Sequence, residues 1–271
     1  MSRRWITRSR GEFLDQLEQA AAARERGPAE YARRVADALH VAAWNSTYTA
    51  GRGPAVPCST AAREREEVLL DALDADPPGS WWSRGAELAR PRRVVAGDPP
   101  REDWLAVPLR RDGPAVTTGD LGRAAAVGLV IGEDGPTWEQ DLVQTLTPPP
   151  IATKLLEVRT PADWLRLVET WPGPASEATD EILSRHTGLD GRWLGPRWTA
   201  VAEEWDAVHL SIGAWARTAG VVQPVGEGSA WTLCAGWDPD ATFWLTAQPT
   251  VASEQVLPTL TPEEALDGHA G

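Results

Sequence analysis

The run of residues 205–245, WDAVHLSIGAWARTAGVVQPVGEGSAWTLCAGWDPDATFWL, constrains the fold more than any other part of the chain. Its apolar segments are short and bounded by Gly, Pro and Asp, which favours buried strands over helices. Two strands are expected, over 207–211 and 231–237, joined by a loop-rich excursion and closed by the turn Asp238-Pro239-Asp240. His209, Ser211 and Asp238 then sit at or just beyond strand ends, where scaffolds commonly display chemistry.

Upstream of this stretch the texture changes once. Residues 11–26 read as a helix, with Phe13, Leu14, Leu17, Ala20 and Ala21 on one face. Gly27 ends it, and Pro28 suits the first turn of a second helix carrying Tyr31, Val35, Ala38, Leu39 and Ala42 inward, which fades over 45–53. Ser59 or Thr60 caps a third helix over 61–74, with Val68, Leu69 and Leu73 inward. Pro77-Pro78-Gly79 closes the helical part. Beyond it, short β-rich runs are expected at 92–96, 104–109, 127–131, 142–146 and 155–158. Thr160 caps a helix with Pro161 at its first position and Trp164, Leu165 and Val168 as its inner stripe. A further helix is expected over 176–185, a loop over 188–196 and a helical turn over 198–204. The expected fold is therefore α+β. A three-helix N-terminal unit over 1–78 precedes a mixed, mostly antiparallel sheet domain with interspersed helices over 79–247. A polar tail over 248–271 follows, disordered at its end.

Composition narrows the partners. A net charge of −13 over 271 residues argues against a nucleic-acid backbone or an anionic membrane as the main partner, leaving a small nucleotide or a protein. Fifteen Trp stand against two Tyr and two Phe, enough to fill a core and leave some indoles for a ligand or an interface. Cys58 and Cys234 match no zinc or redox spacing. No apolar run approaches membrane-spanning or signal-peptide length, so a soluble, cytoplasmic protein is expected.

Several chemistries lack their motifs. There is no phosphate-loop signature, and Trp231 stands where the third glycine of a dinucleotide fingerprint would fall after Gly226 and Gly228. His209 replaces the glycine of a nucleophile elbow before Ser211. The four histidines share no zinc spacing, and no metal is expected; Asp238 and Asp240 either shape a turn or hold a hard cation. Strand alternation sets Ala207, His209 and Ser211 on one face, which meets either water or the floor of a polar cleft. A hydrogen-bonded core histidine is the third possibility. Arg185 and His186 end a helix, where they present donors to a phosphate or compensate the helix dipole. Trp81-Trp82-Ser83-Arg84 is either a stacking platform for a ring or the plug that docks the helical unit.

The strand Leu155-Leu156-Glu157-Val158, a helix, then Trp205-Asp206-Ala207-Val208 and Gly236-Trp237-Asp238-Pro239-Asp240 together resemble the second half of ADP-ribosyltransferase-like domains. Those end in a "YDGV"-like strand and a final strand running into "FDPD". The related RES-type domains, which consume NAD, place a functional serine soon after the first of these, near the position of Ser211. The usual catalytic glutamate before the last strand is absent here, where the chain reads Gly228-Ser229-Ala230-Trp231. Arg84 and Arg93 are the positions weighed for the family's early Arg or His.

The resemblance implies an NAD- or nucleotide-binding protein that cleaves the nicotinamide–ribose bond. Trp81 or Trp82 would stack on a ring, Arg84, Arg185 and His186 would help hold the cofactor, and His209 with Ser211 would address the ribose. The alternative reading is a non-enzymatic acidic interaction protein, such as an immunity factor, inhibitor or adaptor. Its acidity would mask a basic partner, and its tryptophans would anchor the interface.

Overall fold

The computed structural model describes residues 5–48, 54–75, 82, 86, 88–89, 91–95, 107–108, 116–122, 125–131, 140–149, 152–227, 230–246 and 248–258. The chain opens with β1 (Trp5–Ile6), α1 (Arg8–Ala22), a 3-10 turn (Ala23–Arg26), α2 (Pro28–Tyr48), β2 (Val56–Pro57) and α3 (Thr60–Asp74). Next come β3 (Arg92–Val95), β4 (Val116–Thr117), β5 (Asp120–Gly122), β6 (Ala125–Ala126), α4 (Val127–Ile131), β7 (Gln140–Thr147) and β8 (Leu155–Val158). Then follow α5 (Pro161–Thr170), β9 (Pro172–Pro174), α6 (Glu177–Thr187), β10 (Arg192–Pro196), α7 (Trp198–Val201), β11 (Ala207–Leu210) and α8 (Ile212–Thr218). The last strands are β12 (Val221–Val225), β13 (Ala230–Thr232), β14 (Ala241–Trp244) and β15 (Thr250–Pro258).

The fold is α+β. The strands form sheets ordered β2-β1-β12-β13-β10-β9, β4-β14-β11-β8, β15-β7-β3 and β5-β6. Pairing is antiparallel except for β10 with β13 and β11 with β8.

Local signals place the helix starts. Thr7, Ser59, Thr160, Ser176 and Ser211 each accept a hydrogen bond from a backbone N–H of the turn they open. Two inner faces differ from expectation. On α3, Glu66, Leu70 and Leu73 are buried, and Val68 is 69% exposed instead of inward. The face is turned by Arg10, whose guanidinium is buried and donates to the Glu66 carboxylate and to the carbonyl of Ala216. That buried pair links α1, α3 and α8. On α5, Leu167 is buried with Trp164 and Val168, while Leu165 is half-buried.

Other expectations are corrected by pairing. Residues 127–131 form the helix α4 rather than a strand, because a short apolar run fits either element and only its surroundings decide. The loop expected over 188–196 contains β10, held between β9 and β13. The excursion expected to be loop-rich contains α8 and β12, and the expected strand over 231–237 is regular only through Thr232. The tail expected from 248 contributes β15, which pairs along β7 from Thr250. Of the run expected at 104–109, Val107 and Pro108 lie outside any strand and the rest falls outside the described residues, as do the chain end and the boundary at 76–80.

One apolar core joins Phe13, Leu17, Val35, Leu39 and Leu70 of the helical unit to Trp164, Val208, Trp215, Trp237 and Phe243 of the sheet unit. Trp237 is its hub, with ring centroids 6.0 Å from Trp164, 5.8 Å from Trp198 and 4.4 Å from Phe243. The four indoles that are less than 2% exposed each donate their N–H: Trp164 to Thr232 Oγ1, Trp193 to Ser184 Oγ, Trp215 to the Trp237 carbonyl and Trp244 to Thr117 Oγ1. Burying one such side chain contributes roughly 5 kcal/mol of transfer free energy, provided its polar N–H is not stranded. Among the described residues, no helix is long and apolar enough to cross a membrane.

Candidate functional site

The strand β11 is flanked by β8 on one side and β14 on the other, and Ala207, Val208, His209 and Leu210 are each 0% exposed. The face of Ala207, His209 and Ser211 therefore meets neither water nor an open cleft at His209. The expectation of an exposed or cleft-facing histidine is corrected: the ring is wholly buried and bonded to side chains on both nitrogens, the third of the possibilities weighed.

Register supplies the partners of the ring. His209 stands opposite Glu157 on the parallel neighbour β8 and opposite Thr242 on β14. Its Nδ1 lies 3.1 Å from Glu157 Oε1, and its Nε2 lies 3.3 Å from Oδ1 of Asp240, just before β14. Two carboxylate acceptors require both ring nitrogens to carry protons. Asp240 Oδ2 in turn accepts from Thr118 Oγ1 at 3.0 Å and from the Gly119 N–H at 2.6 Å, both just beyond β4. Thr118 Oγ1 accepts from the Gly128 N–H of α4 at 3.1 Å. A polar ladder thus crosses the whole sheet, from β8 through β11 and β14 to the end of β4.

The backbone is bent to make this ladder. Asp240 holds φ at 63°, in the left-handed region that Asp tolerates better than most residues. That turn swings its carboxylate inward, against Gly119. A Cβ at Gly119 would lie 2.9 Å from Asp240 Oδ2 and 3.3 Å from Val127 Cγ2, so the close approach depends on glycine.

Charge follows from the bonds. Burial opposes an imidazolium at His209, but hydrogen bonds to Asp240 and Glu157 and their negative charges outweigh it, pushing the pKa up to about 9. Burial likewise opposes the ionised Glu157, but the hydrogen bond and charge of His209 prevail and hold its pKa below the ordinary carboxylate value. At neutral pH the ring is a fixed cation between two anions. It has no free lone pair with which to accept a proton, attack an electrophile or bind a metal. Glu157, with its side chain 21% exposed, is the more exposed of the two carboxylates, and Arg159 lies 4.0 Å from its second oxygen.

The other expected site residues are dispersed. Ser211 caps α8, its Oγ accepting from the Ala214 N–H at 3.2 Å. Trp82 is buried against Tyr31 with ring centroids 5.8 Å apart, and its N–H donates to the Leu73 carbonyl, so it plugs the helical unit rather than offering a free stacking face. Trp81 and Arg84 lie outside the described residues. Arg185 is exposed and paired with Glu181 one turn earlier on α6. Burial and the charge of Arg185 push the pKa of His186 down. The helix carrying this pair packs through Leu183 with Trp193 and Val222, a core cluster separate from that of β11. Asp238 is half-buried, and Asp240 is turned to His209 rather than beside it toward one cation.

Sequence reasoning gave Glu157 no role, although an acid inside an apolar strand was a signal. It also missed Asp206, which secures the opposite end of the same three strands. Its Oδ2 accepts from the Lys154 N–H at 2.9 Å, its Oδ1 from Thr246 Oγ1 at 2.6 Å, and its carbonyl from the Leu245 N–H at 2.7 Å. These hydrogen bonds hold its carboxyl below the ordinary range. Comparisons with protein-family models, with curated proteins and with solved structures find no match for this chain.

Proposed function

We propose that the protein is a non-enzymatic acidic interaction protein that masks or bridges a basic partner in the cytoplasm. The observation that carries this reading is the inward bonding of the two side chains weighed for catalysis. His209 donates from both nitrogens to carboxylates, and Ser211 caps a helix, so neither is poised over a substrate. The net charge of −13 supports a basic partner and salt-sensitive association. The free thiols of Cys58 and Cys234 suit a reducing compartment.

A second reading rests on one observation. Glu157 is partly exposed and held ionised by an imidazolium, which suits stabilising a cationic transition state such as that of nicotinamide–ribose cleavage. One experiment separates the two. Purified protein incubated with millimolar NAD is expected to release no nicotinamide above buffer, and tryptophan emission corrected for inner-filter absorption is expected to stay flat. Nicotinamide release that disappears in Glu157→Gln overturns the interaction reading and establishes the enzymatic one.

A further inference from the structure

Strand β15 is the edge of the three-stranded sheet β15-β7-β3, and among the described residues β7 is its strand partner. Every residue from Val251 to Val256 is exposed. Val251 and Val256, at 47% and 58%, are two of the four large apolar side chains most exposed among the described residues. Register puts them on one face with Glu254 between them, opposite Leu146, Leu142 and Gln144 of β7. The Glu254 carboxylate accepts from Gln144 Nε2, and the Gln144 carbonyl oxygen accepts from Arg93 Nη1 of β3 at 3.4 Å, so the acid is held at the rim.

We propose that this edge takes up an extended segment of a basic partner as a fourth strand, with a Lys or Arg facing Glu254 between two apolar residues facing Val251 and Val256. The inference rests on the interaction reading above and deepens it by naming the surface. An exposed edge offers unpaired backbone groups, and alternate side chains then supply specificity. A second copy of this chain is the wrong occupant for two reasons. Full antiparallel overlap of two β15 strands sets Glu254 against its own copy, and like charges directly opposite are unfavourable. The bulge between Val251 and Ser253 also throws the faces out of step beyond that point. A cation opposite Glu254 removes the first conflict, and the acidity of the chain favours it.

The test uses the full chain and three fluorescent heptapeptides: Thr-Val-Thr-Lys-Thr-Val-Thr, its Glu-for-Lys counterpart, and the Lys peptide N-methylated at alternate amides. The Lys peptide is expected to bind saturably, with both counterparts weaker by about tenfold or more. Glu254→Lys is expected to reverse the preference between the Lys and Glu peptides. Glu254→Gln, which keeps a side chain able to meet Gln144, is expected to abolish the preference if the reversal variant folds poorly. Equal binding of the methylated peptide, or a preference unchanged in both variants, overturns the edge proposal. Failure here with no NAD turnover and salt-sensitive binding of a polyarginine probe overturns the edge alone; NAD turnover lost in Glu157→Gln overturns the interaction reading itself.

Discussion

A histidine bonded at both nitrogens to carboxylates is a fixed charge, and its effect on the molecule is read most directly through pH. The folded pKa of His209, about 9, stands above the ordinary 6.5, so its contribution is fully present below pH 6.5 and is lost as pH rises through 9. The shift corresponds to about 3 kcal/mol. Glu157 has the opposite sign: its folded pKa is depressed, so its contribution is present above its ordinary 4.5 and is lost as pH falls through the folded value. The ladder is therefore strongest between pH 4.5 and 6.5. Thermal melts of the wild type and His209→Gln across pH 5 to 10 are expected to differ most at the acid end and to converge above pH 9. A difference independent of pH would mean that the pKa of the ring is the same folded and unfolded, and one that shrinks toward the acid end would mean that the folded ring is neutral.

At the scale of elements, Ser211 is the cap of α8, and its removal should act on that helix alone. Ser211→Ala is expected to cost about 1 kcal/mol and Ser211→Asp much less, because the aspartate oxygen can accept from the same N–H group. Thermal denaturation with peptide binding measured alongside checks this. Stability should fall in the alanine variant while affinity at the β15 edge is unchanged. The short strands β8, β11 and β14 show the complementary logic. They are four residues each, too short to hold register by backbone bonds alone, and polar side chains pin them at both ends. Asp206 secures one end, and the Glu157–His209–Asp240 ladder secures the other.

For the whole molecule, the Arg10–Glu66 pair and the shared apolar core make the helical unit and the sheet unit one cooperative body. The short strand β1 adds to this, since it lies between β2 and β12 and its Trp5 and Ile6 pair with Val222 and Val221 of β12. Glu66→Ala removes the carboxylate that faces the buried Arg10 guanidinium and is expected to cost about 3–5 kcal/mol, whereas Arg10→Met with Glu66→Leu should recover most of that. Denaturant melts of the single and double variants measure both. A double variant no more stable than Glu66→Ala would show that the pair's contribution lies outside its charge. Much of this body was legible along the chain. The Thr160 cap, the cap expected at Ser59 or Thr60 and taken by Ser59, the stop at Gly27 and the strands at 142–146 and 155–158 rest on bonds and periodicities within a few residues of themselves. So the sequence by itself determined the fold class, the three opening helices and the use of tryptophan as core, since the tryptophans of described burial are buried or packed against a core cluster. Only the tertiary structure decided which residues are buried with charge, and hence what His209 is. Its two carboxylates come from 52 and 31 positions away, and the acid that matches Arg10 comes from 56. Such partners meet only once strands pair and helices dock, because burial and register are properties of the packed whole rather than of any segment.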